Sequence, residues 1–188
     1  MNIAIVGTHC TGKTTLIDKF IETFPDWEKI SSPTRGAVNF GLKINEEGDS
    51  LSQLYMVSSD MKTFVENNGL KDYPNLIFDR CFLDTYIYTA DMVGRGQCKK
   101  VISQICYEYW DLMKEYFDFI FWVRPEFGLV GDGTRSTEVE FQKKIDTAFE
   151  VYFQLYPTPN MVLLSGSTKE RLQIINKTIN EYNHKTGQ

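Results

Sequence analysis

Eight residues near the start of this 188-residue chain constrain it more than any other feature. Gly7-Thr8-His9-Cys10-Thr11-Gly12-Lys13-Thr14 satisfies G-x-x-x-x-G-K-[ST] at every fixed position. The two glycines let the backbone curl so that successive N–H groups turn inward onto phosphate oxygens. Lys13 then reaches the β- and γ-phosphates, and the Thr14 hydroxyl is placed to ligate Mg²⁺. The loop ends on a helix N-terminus, whose partial positive charge favours an anion. The context agrees, because an apolar strand, Asn2–Val6, precedes the loop. A helix from Thr14 to about Phe24 follows, with Leu16, Ile17, Phe20, Ile21 and Phe24 at helical spacing. The pattern predicts a nucleoside triphosphate with Mg²⁺, held by Gly7, Thr8, His9, Cys10, Thr11, Gly12, Lys13, Thr14 and Thr15. His9 and Cys10 fill variable positions and bring no chemistry of their own.

The rest of the chain alternates short apolar runs with longer helical patterns, the signature of a parallel sheet covered by helices on both faces. Strands are expected at Trp27–Ser31, Leu76–Asp79, Phe119–Val123 and Met161–Leu164. Helices are expected from Asp49 to about Glu66, and at about Phe82–Val93, Lys99–Tyr116, Glu138–Tyr156 and Thr168–Tyr182. In the first of these, Leu51, Leu54, Tyr55, Val57, Ser58, Met61 and Val65 lie mostly on one side. Ser167 and Glu170 form a capping box ahead of the last helix. Pro125–Ser136 carries four glycines or prolines and no apolar period, so it reads as a loop. The whole is read as one domain, 1–188, with a lid at about 125–136.

Composition excludes several classes. The net charge of −5 gives no field to draw in a polyanion, which makes nucleic acid the weaker choice of partner. Cys10, Cys81, Cys98 and Cys106 form no C-x-x-C pair or Cys/His cluster, and read as free thiols in a reducing compartment. No apolar run approaches ~18 residues, so no membrane helix is expected. The N-terminus runs straight into the first motif, leaving no room for a signal peptide, and a cytoplasmic protein is expected.

In a parallel sheet the working residues collect at the carboxyl ends of the strands. Asp79 ends one apolar run and Arg80 follows it. An acid there can hold the Mg²⁺ shell or accept a proton from an acceptor hydroxyl, and a neighbouring Arg can neutralise phosphate. Both could instead cap the next helix. Arg35, just after the second strand in Ser32-Pro33-Thr34-Arg35-Gly36, lies where an acceptor would enter, with a solvated loop arginine as the alternative. Arg135, on the glycine hinge Gly131-Asp132-Gly133-Thr134-Arg135-Ser136, could fold over the γ-phosphate. Asp84, Asp91 and Asp118 are weaker candidates, Asp118 because it begins its strand and so sits at the wrong end of the sheet.

Together the stretches GTHCTGKTTL, TRGAVNFG, IFDRCFLDTYIY, YFDFIFWVRP and GDGTRS resemble the nucleoside/nucleotide kinase group of P-loop proteins, specifically its ribosylnicotinamide-kinase-like branch. The resemblance implies a P-loop NTPase fold with a five-stranded parallel sheet in the order 2-3-1-4-5, and ATP as donor. It implies that Lys13, Asp79, Arg80 and Arg135 are catalytic, with Thr14 and Asp79 at the metal. Arg35, Asp79 and Arg80 would bind a small nucleoside- or nucleotide-like acceptor. Two departures stand out. Ser32 replaces the Glu that relatives carry three residues before Arg35, and no second Arg follows the lid motif, where Lys143 or Lys144 could substitute. A kinase acting on a hydroxyl of DNA or RNA, and a P-loop switch, are the alternatives. A guanine-specific switch lacks its motif, since Asn176-Lys177-Thr178-Ile179 has no Asp. A homodimer is left open.

Overall fold

The computed structural model describes residues 1–69, 75–126 and 139–186. Five strands, β1 (Asn2–Val6), β2 (Glu28–Ile30), β3 (Leu76–Asp79), β4 (Phe119–Val123) and β5 (Met161–Leu164), form one parallel sheet in the order β2-β3-β1-β4-β5. This is the order the resemblance implied. β1 lies at the centre, with Ile3 opposite Ile77 of β3 on one side and Phe119 of β4 on the other. Ile3, Ala4, Ile5 and Val6 are wholly buried. A strand covered on both faces has no solvent side, which is why it reads as an unbroken apolar run rather than an alternation.

Successive side chains go to opposite faces. Ile3, Ile5, Ile77, Phe121 and Val123 pack against α1 (Lys13–Thr23) and α7 (Thr168–Thr186) through Leu16, Ile17, Phe20 and Ile175. Ala4, Val6, Phe78, Ile120 and Trp122 face the other layer. That layer comprises α3 (Ser50–Gly69), α4 (Phe82–Gly94), α5 (Lys100–Met113) and α6 (Val139–Leu155), which contribute Phe64, Leu83, Trp110 and Phe149. The capping box ahead of α7 is formed: the Ser167 N–H donates to Glu170 Oε2 at 2.7 Å, and the Glu170 N–H to Ser167 Oγ at 3.4 Å.

Two local expectations are corrected. The segment around Arg35 is not a loop but a short helix, α2 (Thr34–Asn39). Pro33 and Gly36 disguise it in the sequence. Ser32 Oγ accepts from the Thr34 N–H at 3.3 Å, satisfying a donor at the helix start. Gly36 is needed for packing, since a Cβ there would lie 2.4 Å from the Tyr55 hydroxyl of α3.

The second correction concerns α3, whose expected apolar side does not all point inward. Leu51 is 62% exposed, and Leu54 and Val65 are also exposed, whereas Ser52, Gln53 and Asn67 are buried. Gln53 is turned inward where the helix walls a cavity, Ser52 bonds back to Asp49, and the Asn67 amide donates to the Thr63 carbonyl. From position 127 onward the expected lid, Pro125–Ser136, lies outside the described residues. No helix among the described residues is long and apolar enough to cross a membrane.

Candidate active site

β1 ends at Val6 and the chain turns at Gly7, where φ is +130° and a Cβ would lie 2.3 Å from the Val123 carbonyl oxygen. Only glycine fits there. Cys10 (φ 55°) and Gly12 (φ 81°) are left-handed, and α1 begins at Lys13. Lys13 is buried within its own loop, Nζ donating to the Gly7 and Thr8 carbonyls and to Thr11 Oγ1. The other layers pin the loop from outside. The Gly7 N–H donates to Asp84 Oδ1 at 3.1 Å and the His9 N–H to the Tyr88 hydroxyl at 3.0 Å, both on α4. Gln142 of α6 donates to the His9 carbonyl at 2.8 Å, and Arg171 of α7 to the Thr11 carbonyl at 2.8 Å. Thr8 and Thr11 are buried, while Thr15 is exposed on the first turn of α1.

Asp79 closes β3 and is buried, and its Oδ2 accepts from Thr14 Oγ1 at 2.7 Å. The parallel pairing of β1 with β3, which sets Ile5 opposite Asp79, brings these residues together. A hydroxyl beside a carboxylate is a hard-oxygen pair. It suits Mg²⁺, which takes one or two protein oxygens and fills its shell with water and phosphate. Among the described residues no group of three His, Cys, Asp or Glu side chains could hold a metal by itself.

Arg80 adopts a left-handed backbone (φ 75°). Its Nη1 donates to the Gly7 carbonyl at 3.2 Å and to Asp84 Oδ1 at 3.1 Å, and its guanidinium lies 5.4 Å from the Tyr88 ring centroid. Burial works against the Arg80 charge, yet Tyr88, Asp84 and Asp79 around it push its pKa up. Arg80 and Asp84 thus clamp β3 and α4 to the phosphate loop. Asp84, ranked low from the sequence, is central here. Its Oδ2 also accepts from the Cys81 N–H at 3.1 Å, capping α4. An acid three residues after a helix N-cap was the available signal.

Beside the Thr14–Asp79 pair opens a cavity of ≈110 Å³. His9, Thr14, Asp79 and Arg80 line it beside the phosphate loop; Pro33 and Arg35 come from the α2 segment, Gln53, Met56 and Asp60 from α3, and Thr85 and Met92 from α4. Gln53 Oε1 accepts from Thr89 Oγ1 at 2.7 Å, which fixes the orientation of its amide. Asp60 Oδ2 accepts from Thr85 Oγ1 at 2.6 Å. Burial pushes the Asp60 carboxyl up to about 7, opposed by the Thr85 hydroxyl and Arg80 and reinforced by Asp84. Asp60 thus retains its proton to far higher pH than an ordinary carboxyl. Neither Gln53 nor Asp60 was found from the sequence, because nothing in a helical pattern separates a cavity-facing polar residue from a solvated one.

Arg35 is exposed at the cavity wall and makes no hydrogen bond or ion pair among the described residues. Arg135 lies outside the described residues. Of the lysines expected to substitute for a second lid arginine, Lys144 pairs with Asp91 at 2.6 Å and Lys143 with Glu140 at 3.8 Å. Asp118 sits at the far end of the sheet, accepting from the Asn2 N–H at 2.7 Å.

A family model described as an AAA domain matches residues 2–171. The chain belongs to that AAA-domain family. Within it, this member has the fold of small kinases. Deoxyadenosine kinase from M. mycoides with bound dATP superposes with a TM-score of 0.66 at 17% identity, covering 96% of this chain and 100% of that one. Thymidylate kinase from Candida albicans gives 0.68 at 15%, covering 97% and 92%. The NadR protein in complex with NR gives 0.67 at 15%, covering 88% of this chain and 46% of that one. At such identities the likeness is one of fold. The group that the sequence motifs resemble is thus also the group whose architecture this AAA-domain protein shares. No curated protein matches it by sequence.

Proposed function

We propose that this AAA-domain protein is an ATP-dependent kinase that moves the γ-phosphoryl group to a hydroxyl of a small nucleoside- or nucleotide-like acceptor. One observation carries the reading: the phosphate loop opens, across the Thr14–Asp79 pair, into a cavity built by other elements. A protein that only hydrolyses or senses a triphosphate has no use for a second walled compartment at that spot. The solved neighbours, two of them named as deoxyadenosine kinase and thymidylate kinase and a third in complex with NR, support the same reading.

In this scheme the loop from Gly7 to Thr15 holds the triphosphate, and Lys13 leaves its resting carbonyl partners to meet the β- and γ-phosphates. Thr14 and Asp79 would hold Mg²⁺, which screens charge on the phosphate oxygens. Asp79 orients the acceptor hydroxyl or takes its proton, and Arg80 holds the loop against α4. Gln53, Asp60 and Thr85 offer polar contacts to the acceptor, Met56 and Met92 an apolar wall, and Arg35 a charge at the entrance. Arg135 supplies a second cation to the transferring group. A cytoplasmic setting, where ATP is plentiful, fits cysteines that stand as thiols. The test is transfer of label from γ-³²P-ATP across a panel of nucleosides, nucleoside monophosphates, nicotinamide riboside and oligonucleotides. Label on a small acceptor supports the reading; label on oligonucleotides alone, or only as free phosphate, overturns it.

A further inference from the structure

We propose that Gln142 and Arg171 are positioning residues, holding the phosphate loop's backbone N–H groups in the conformation that receives a triphosphate. This rests on the phosphate loop being the donor site. A trans peptide is planar, so the carbonyl of one residue and the N–H of the next point in opposite directions. Gln142 holds the carbonyl of His9, the peptide that enters Cys10. Arg171 holds the carbonyl of Thr11, the peptide that enters Gly12. Cys10 and Gly12 are the two left-handed residues of the loop beyond its first glycine. Each anchor therefore fixes the peptide immediately before a left-handed turn, and turns the N–H of Cys10 or Gly12 to the loop's inner side. Left-handed residues set at alternate positions ahead of the right-handed α1 make successive N–H groups converge into an anion-binding concavity. At Cys10 this conformation is unfavourable for a residue with a side chain, so something outside the loop must hold it.

The anchors suit the task. Gln142 is 4% exposed and Arg171 1% exposed, so neither is a drifting surface contact. Arg171 is itself held by Glu126, at 3.0 Å, and by the Arg124 carbonyl, at 3.4 Å. The two come from α6 and α7, elements that contribute nothing to the phosphate-loop motif.

The test is binding of inorganic tripolyphosphate, which has the anion and no base, to wild-type protein and to Gln142→Met. Gln142→Met is expected to weaken tripolyphosphate and ATP by the same factor, about tenfold, the size of one lost hydrogen bond to an ordered backbone. KM for the acceptor should stay as it was. Adding Cys10→Gly should recover part of the loss, because glycine adopts the left-handed turn without an anchor; loss through general damage to α6 would not respond. If Gln142→Met does not give folded protein, Gln142→Asn keeps the amide but falls one methylene short, and the same loss is expected. Wild-type protein that binds tripolyphosphate together with a variant that binds it equally well overturns the positioning role alone, as does a loss that Cys10→Gly leaves unchanged. Wild-type protein that binds no tripolyphosphate overturns the donor site and the proposed function with it.

Discussion

The phosphate loop and the cavity beside it share a wall at Thr14 and Asp79, yet they are built in opposite ways. The loop is eight consecutive residues whose fixed positions each answer a local steric or electrostatic demand. Gly7 has no room for a Cβ, Gly12 is left-handed, and Lys13 lies within reach of the loop's carbonyls. The cavity takes only His9 and Thr14 from the loop and is otherwise assembled mainly from the end of β2, the α2 segment, α3, α4 and the end of β3, and its residues have no fixed spacing in the chain. A part made of neighbours in sequence can be specified by a short pattern, whereas a part made of distant segments depends on how the helices roll against the sheet. Under the proposed function the difference would also separate tasks: a constant anion on one side, a variable organic molecule on the other.

Substitutions on the two sides should therefore fail differently, and the largest failure belongs to the loop. Lys13→Ala removes a charge from the triphosphate while touching no apolar core. It is expected to cut turnover by a factor on the order of a thousand, with the thermal midpoint of the free protein little changed. Label-transfer rates beside a melting curve check this, and wild-type turnover would remove the phosphate loop from the account.

Asp79→Asn acts at the shared wall and should lower turnover roughly a hundredfold while ATP affinity, read by calorimetry, barely moves. Equal losses in both would make Asp79 part of the donor site alone. A fall in stability with unchanged turnover per folded molecule would make it a packing residue.

The smallest effect is expected at Asp60, in the cavity wall. Because the folded protein holds the Asp60 proton up to about pH 7, against an ordinary value of 3.8, it binds more protons than the unfolded chain in between. Stability therefore falls as pH rises from about 4 to about 7 and levels off above. Asp60→Asn should flatten that part of the melting-temperature profile. Identical slopes in variant and wild type would mean that Asp60 ionises as an ordinary carboxyl.

How much could be read beforehand follows the same division. The strands and the loop were legible because buried parallel strands are unbroken apolar runs and the phosphate loop has no freedom in its glycines. The Thr14–Asp79 meeting was foreseeable from strand order. α2 was hidden because Pro33 and Gly36 look like a turn, whereas Ser32 Oγ accepts from the first N–H of a helix and Gly36 makes room for Tyr55. Gln53 and Asp60 were hidden because α3 exposes Leu51 and Leu54 and buries polar residues, reversing the usual assignment of faces. Gln142 was hidden for a related reason. It looks like any polar residue on a helix until the packing of α6 sets its amide on the His9 carbonyl.

The central claim is that the cavity holds the molecule that receives the phosphoryl group while the loop alone holds the donor. Met56→Trp tests it most directly, because Met56 lines the cavity from α3 and is no part of the phosphate loop. A filled cavity should leave ATP affinity within about twofold by calorimetry and cut transfer of label to the best acceptor of the wild-type protein by about tenfold or more, the added ring occupying the acceptor's volume. Undiminished transfer in a folded Met56→Trp protein would contradict the account.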